Sequence, residues 1–152
     1  KRLDYCLISY CFDDRGILHT NLDLTREGVE VISWSLKGNT KGAYYNGVIA
    51  LCKNITTTAE KTCVLAEELG HHYTSCGDII DTSKVENRKQ EIKARRWAVR
   101  KVLPVESIIS AYQAGCRNMF EMAEYLGITE EFLKSAFSMY KAIYGICIEY
   151  NG

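Results

Sequence analysis

Two of the three histidines in this chain stand side by side, just after two adjacent glutamates. Residues 64–73 read VLAEELGHHY, so that each histidine follows a glutamate by four positions. Residues four apart lie on the same face of an α-helix, which places Glu67 beside His71 and Glu68 beside both histidines. A capping-box pattern at residues 57–60 predicts that such a helix begins there and continues to about residue 73 or 74. The stretch therefore predicts a helix that carries carboxylates and imidazoles along one side.

This pattern differs by one residue from His-Glu-x-x-His, a helical motif in which two histidines bind zinc and the glutamate acts as base. Glu67 stands where the motif has its first histidine. The base has to follow the first ligand directly, and only the pair Glu67 and His71 leaves a glutamate, Glu68, in that place. Pairing Glu68 with His72 would leave Leu69 there. We expect Glu67 and His71 to bind metal and Glu68 to act as general base, with His72 as an alternative ligand, a neighbour of the site or a packed residue.

A catalytic zinc usually takes three protein ligands, so one more side chain is needed. Residues 85–102 predict a second helix, on which Glu91 shares a face with Ala94 and Ala98. A carboxylate on an apolar face is costly to bury unless it is paired or bound to metal, which makes Glu91 the best candidate. The small alanines, together with Gly70 on the first helix, would let the two helices approach closely.

The part of the chain before these helices shows patterns typical of β-structure. Residues 29–34 alternate as a strand with two partly covered faces does. Asn46 and Gly47 stand between two apolar, β-prone runs, which is the strongest short signal for a β-hairpin. These patterns predict a small antiparallel sheet. With the helices that follow, they predict an α+β fold that contains a zincin-like active-site helix.

Three further helices are predicted towards the carboxyl end. Pro104 can end the second helix and begin the third, and Thr129 is a good N-cap for the last. We expect a single domain of three parts: an N-terminal extension (residues 1–24), the sheet with the two motif helices (25–103) and a C-terminal helical segment (104–152).

Composition excludes several classes of protein. The formal net charge is zero, which gives no indication of a nucleic-acid or anionic-membrane partner. No apolar run approaches the ~18 residues of a transmembrane helix. The seven cysteines are scattered and form no Cys-x-x-Cys, which argues against a disulfide framework or a four-cysteine zinc site. We therefore expect a cytoplasmic protein with reduced thiols.

Two segments, EELGHH at residues 67–72 and EIKARRWA at residues 91–98, follow each other in a recognisable order. They resemble the ImmA/IrrE family of metallo-endopeptidases, in which a His-Glu-x-x-His helix precedes a helix with Glu-x-x-Ala-x-x-aromatic-Ala. The hairpin at residues 41–51 and the segment 120–129 are similar to that family's strand pair and carboxy-terminal helices. The resemblance covers roughly residues 25–145.

The resemblance implies a cytoplasmic metallopeptidase of the kind found on prophages and conjugative elements, where several members cleave a helix-turn-helix repressor. It implies Glu68 as general base and His71 and Glu91 as metal ligands, with Glu67 in the place of the first histidine. The metal would be Zn²⁺. Because two carboxylates and one imidazole suit harder metals, Mn²⁺ or another divalent ion would be the alternative. The second hypothesis is a catalytically weak or inactive binding protein on this scaffold, which regulates a repressor by contact.

Direct nucleic-acid binding is a weaker hypothesis. One stripe of the second predicted helix is basic, but its opposite stripe is apolar, so a solvated face is favoured. Residues 118–140 show the pattern of a helix, a glycine-containing turn and a second helix, as DNA-binding motifs do. The second of those helices begins with acidic and apolar residues, whereas a recognition helix needs basic and amide side chains there. We expect that segment to pack or to dock a partner.

Overall fold

The computed structural model describes residues 28–74 and 84–145, and the side chains of the second range from residue 88 onward. The N-terminal extension predicted for residues 1–24 lies outside these ranges. Within them, three strands precede five helices, so the predicted α+β class is confirmed. The elements are β1 (Glu30–Trp34), β2 (Gly42–Tyr45), β3 (Val48–Cys52), α1 (Thr58–Thr74), α2 (Lys84–Val102), α3 (Val105–Gln113), α4 (Met119–Leu126) and α5 (Glu130–Tyr144).

The sheet is mixed rather than purely antiparallel. β2 and β3 form the predicted hairpin, and its turn residues Asn46 and Gly47 have φ angles of 44° and 79°, as a type I′ turn requires. β1 pairs with β3 in parallel, which makes β3 the central strand. The hairpin signal fixes the pairing of β2 with β3. The loop after β1 carries the chain past the sheet to its far edge, so that β3 returns beside β1 in the same direction.

The residues predicted to begin helices do so in the structure. The backbone N–H of Glu60 donates to Thr57 Oγ1 at 3.2 Å, and that of Phe132 donates to Thr129 Oγ1 at 3.2 Å. Pro104 is the N-cap of α3. These contacts satisfy backbone donors that the first turn of a helix leaves without partners.

Helix α1 is shared by two apolar clusters. Leu65 and Leu69 pack with Val29 and Ile49 of the sheet region, and all four are buried. The other side of α1 packs on the helices, in a larger cluster that includes Cys63, Ala66, Ala98, Val102, Leu103, Met122, Leu126, Phe132, Leu133 and Ala136. Because residues of the last helix belong to this cluster, the segment 118–140 packs on the helical body, which is one of the two roles expected for it. No helix in the described ranges is long and apolar enough to cross a membrane.

Gly70 on α1 lies directly against the backbone of Ala94 on α2. A Cβ added at Gly70 would overlap the carbonyl oxygen and carbon of Ala94, which cannot move aside as a flexible side chain can. The neighbouring face of α2 is closed by Ala94, Ala98 and Val102, which are at most 2% exposed. The close approach of the two helices predicted from these small residues is therefore present.

Gly70→Ala should lower the free energy of unfolding by about 2 kcal/mol or more, because overpacking against backbone outweighs helix propensity. Propensity alone would stabilise the variant by about 1 kcal/mol, so the sign of the change decides between the two effects. Urea denaturation measures it. Lys61→Ala, at an exposed position of the same helix, is the control and should stay within about 0.5 kcal/mol of the parent. A Gly70→Ala protein as stable as the parent would contradict the contact.

Candidate functional site

Two side-chain contacts cross from α1 to α2, one on each side of the Gly70–Ala94 contact. The carboxylate of Glu67 lies 3.2 Å from Nε of Arg95, and Nε2 of His71 lies 3.5 Å from the carboxylate of Glu91. Because the numbering rises along one helix and falls along the other, the helices run antiparallel at this point. Three of the predicted site residues are therefore brought to one helix–helix seam, and Arg95 joins them there.

Glu68 lies next to this seam on the side of the sheet. Its carboxylate accepts a hydrogen bond from the backbone N–H of Tyr44 on β2. Burial, together with the charges of Glu67 and Glu91, nevertheless raises its pKa from 4.5 to about 7. A carboxyl group with a pKa near neutrality exchanges protons readily at that pH, as a general base must.

Gly42 on β2 allows the strand to come this close to Glu68. A Cβ at Gly42 would lie 2.6 Å from Val64 Cγ1 and 2.7 Å from Glu68 Oε1. Both distances are shorter than real carbon contacts, so any side chain at this position would displace the Glu68 carboxylate or the strand. The position of the predicted base therefore depends on a residue without a side chain.

His72 is held by the hairpin. The backbone N–H of Gly47 donates to the hydroxyl of Tyr44 at 3.1 Å, and that hydroxyl lies 2.9 Å from Nδ1 of His72. Burial lowers the pKa of His72, which favours the neutral ring. With Nδ1 as the acceptor, the Tyr44 hydroxyl accepts from the Gly47 N–H and donates to His72. Of the roles that the sequence leaves open for His72, this geometry favours packing.

Glu91 occupies the predicted helix face, but the prediction that this face is buried at Glu91 is wrong. Its side chain is 67% exposed, whereas that of His71 beside it is 18% exposed. Ala94 is the first buried residue of α2 among those whose side chains are described, and Glu91 precedes it by about one turn. Its candidacy as a ligand rests on its contact with His71 and not on a cost of burial.

A cleft of about 340 Å³ opens between the seam, the sheet edge and the start of α5. Its walls combine apolar groups such as Val64 and Phe132 with charged groups of both signs. On the sheet side, Lys41 forms an ion pair with Glu60. The charged side chains that line it are Lys41, Glu60, Glu67, Glu68, Arg95 and Glu131.

The donor types at the seam fit a divalent cation. Burial is the largest cause of the raised pKa of Glu67, and the negative charges of Glu91 and Glu131 raise it further, against the opposing effect of Arg95. Carboxylates that repel one another in this way are stabilised by a cation placed among them. In the described part of the chain, no three His, Cys, Asp or Glu side chains are close enough as they stand to hold a metal ion. Glu67, which is turned towards Arg95, would have to move to complete the set with His71 and Glu91.

Sequence reasoning missed several residues that shape this site. Arg95 follows Glu91 by four positions, so helical spacing alone would have placed it on the same face. Gly42 and Tyr44 carry no comparable signal, because the contact of β2 with α1 depends on how the sheet packs. The basic stripe of α2, by contrast, is exposed as predicted: Lys89, Lys93, Arg96 and Arg100.

The raised pKa of Glu68 predicts that the metal-free protein loses stability as the pH rises. The folded protein holds this proton more tightly than the unfolded chain, so the contribution is fully present below pH 4.5 and is lost through pH 7. Between pH 5 and 8 the loss should be on the order of 2 kcal/mol. Glu68→Gln should remove a large part of this slope in urea denaturation with chelator present. Glu124→Gln, at an exposed position of α4, should keep it; equal slopes in both variants would contradict the assignment.

Tyr44→Phe should lower the free energy of unfolding by about 1 kcal/mol, because the Gly47 N–H and His72 Nδ1 both lose their partner. Thermal denaturation is a sufficient measurement. The matched control is Tyr45→Phe on the same strand, where the ring is 66% exposed and little change is expected. Equal losses in the two variants would show that the hydroxyl contacts contribute nothing.

Comparison with known proteins identifies the family. Residues 24–138, about three quarters of the chain, match the family model described as Peptidase_M78, IrrE N-terminal-like domain. Curated proteins gave no significant match, and solved structures gave none either. The matched range contains the three strands, α1 with Glu67 and Glu68, and α2 with Glu91 and Arg95. The family resemblance seen in the sequence is thereby confirmed, and the chain belongs to the M78 peptidase family, which has an IrrE N-terminal-like domain.

Proposed function

We propose that this protein is a metal-dependent endopeptidase that cleaves a cytoplasmic helix-turn-helix repressor of a prophage or mobile element. Membership of a peptidase family supports peptide-bond hydrolysis, and the family is generally metal-dependent. The observation that carries the proposal is Glu68, a carboxyl group with a pKa of about 7 at the wall of a cleft. It stands next to one ligand candidate in the sequence and one helical turn from another.

The role proposed for each residue follows from its position. Glu67, His71 and Glu91 would hold a divalent metal, Zn²⁺ or a harder ion such as Mn²⁺. When bound, the metal would supply the Lewis-acid chemistry that polarises a peptide carbonyl and acidifies a water molecule. Glu68 takes a proton from water at its carboxylate and returns it to the leaving amine. The backbone N–H of Tyr44 donates to that carboxylate and favours its ionised form.

The cleft supports a peptide as substrate. It has an apolar wall at Val64 and Phe132, and charged groups of both signs around it. A peptide chain offers backbone carbonyl and amide groups together with apolar side chains, which such a mixture accommodates. The repressor as the particular substrate comes from the family resemblance in the sequence, and the same resemblance supports a cytoplasmic location.

One observation favours a second candidate function. The carboxylate of Glu67, in the place of the motif's first histidine, is paired with Arg95. A guanidinium in that place satisfies the carboxylate without a metal. The alternative is therefore a catalytically weak or inactive binding protein on the same scaffold, which regulates a repressor by contact.

Glu68→Gln should lower the cleavage rate at least about 100-fold and leave metal binding intact, because it removes a proton acceptor and not a ligand. The assay incubates the metal-loaded protein with a purified helix-turn-helix repressor from the same mobile element and follows fragments by mass spectrometry. Glu124→Gln is the matched control and should cleave at the parental rate. Cleavage that survives in Glu68→Gln would show that another group is the base.

Repressor release in cells separates the two candidate functions. The endopeptidase requires that the Glu68→Gln variant fail to relieve repression although it accumulates normally. A binding protein requires that the variant relieve repression as well as the parent does, with the repressor intact. Metal content after purification gives the same decision independently, since a protein that neither retains nor binds Zn²⁺ or Mn²⁺ cannot be the proposed enzyme.

A further inference from the structure

Arg95 is a charged group that the proposed chemistry does not use, although it contacts a proposed ligand. Its Nε lies 3.2 Å from Oε1 of Glu67, and the two side chains are 55% and 35% exposed. It follows Glu91 by four positions on α2, so that both face α1. The backbone contact of Gly70 with Ala94, the residue before Arg95, fixes this register and holds Arg95 opposite Glu67.

A guanidinium and a divalent cation would compete for the same carboxylate. Arg95 engages Oε1 of Glu67, and a cation that binds to this carboxylate is repelled by a guanidinium that remains beside it. His71 and Glu91 already contact each other, whereas Glu67 is paired with Arg95 and would have to give up that pairing to serve as the third donor. Arg95 thereby controls the donor that is out of place.

We propose that Arg95 is a positioning residue for Glu67, which holds this carboxylate in the metal-free protein and lowers the affinity of the site for divalent metal. The inference rests on the proposed function, because it takes Glu67 as a ligand. The pair is easily opened. More than half of the Arg95 side chain is exposed, and its long side chain can turn into solvent without opening the core.

Arg95→Gln should bind Zn²⁺ and Mn²⁺ about 3- to 10-fold more tightly than the parent, since a partly exposed ion pair and its repulsion of the metal are both removed. The experiment uses the full chain after treatment with chelator, and measures affinity by isothermal titration calorimetry with each metal chloride. The rise in Tm on metal addition should be larger in the variant than in the parent. Neither measurement depends on peptidase activity.

Arg96→Gln is the matched control. It removes the same charge from the next residue of the same helix, at an exposed position on the basic stripe. Its metal affinity should stay within about 2-fold of the parent if the effect of Arg95 is local, because exposed charges are screened. A second comparison repeats Arg95→Gln in a Glu67→Gln background, where the gain in affinity should disappear, since the carboxylate that Arg95 holds is gone.

The outcomes separate the inference from the proposed function. If the parent binds metal and Arg95→Gln binds no more tightly than Arg96→Gln, the inference is wrong and the metal site stands. A gain that persists in the Glu67→Gln background also overturns it, because Arg95 would then act on the metal independently of Glu67. If Arg95→Gln alone binds metal, the inference holds and the parent is the binding protein. If no variant and no parent binds either metal, both proposals fail together.

Discussion

The backbone contact between Gly70 and Ala94 is the constraint on which the rest of the site depends. It brings α1 and α2 closer than any pair of ordinary side chains would allow, and it sets their register. Glu67 and His71 on one helix then meet Arg95 and Glu91 on the other. The same helix α1 is shared between the sheet cluster and the helical cluster, so the seam is supported from both sides. A shift at this contact would misplace Glu67 and His71 relative to Arg95 and Glu91.

Four glutamates at the cleft and the seam have four different kinds of partner. Glu67 is offset by a guanidinium, Glu60 by the ammonium group of Lys41, and Glu91 lies beside an imidazole. Glu68 is stabilised by a backbone N–H and by retaining its proton up to about pH 7. Burial raises the pKa of both Glu67 and Glu68, but only at Glu67 does a guanidinium oppose the rise. The difference between Glu67 and Glu68 is therefore one of partners and not of residue type.

Most of the fold was predictable because its elements are signalled locally. Thr57 and Thr129 act as N-caps through hydrogen bonds to backbone only three residues away, and the turn at Asn46 and Gly47 requires only its own backbone angles. The parallel pairing of β1 was not predictable in this way, because it depends on the path of a loop and not on a periodicity.

The same distinction between local signals and packing applies to the residues of the site. Glu67, Glu68 and His71 are related by spacing on one helix, and Glu91 shares a helix face with Ala94, although it is not buried there. The exposure of Glu91 and the contact of Tyr44 with His72 could not be foreseen, because they depend on where two elements end relative to each other. Arg95 was visible as spacing but had no assigned role, since nothing in the sequence says which neighbouring carboxylate an arginine will meet.

Gly42 shows how the absence of a side chain can restrict the evolution of a site. The space that its Cβ would fill is already taken by Val64 and by the carboxylate of Glu68. A larger residue at position 42 would therefore require a smaller one at 64, a displaced carboxylate at 68 or a shifted strand. We expect substitutions at these three positions to depend on one another among related chains. Co-variation at positions 42, 64 and 68 would therefore indicate, from sequences alone, that β2 lies in close contact with α1.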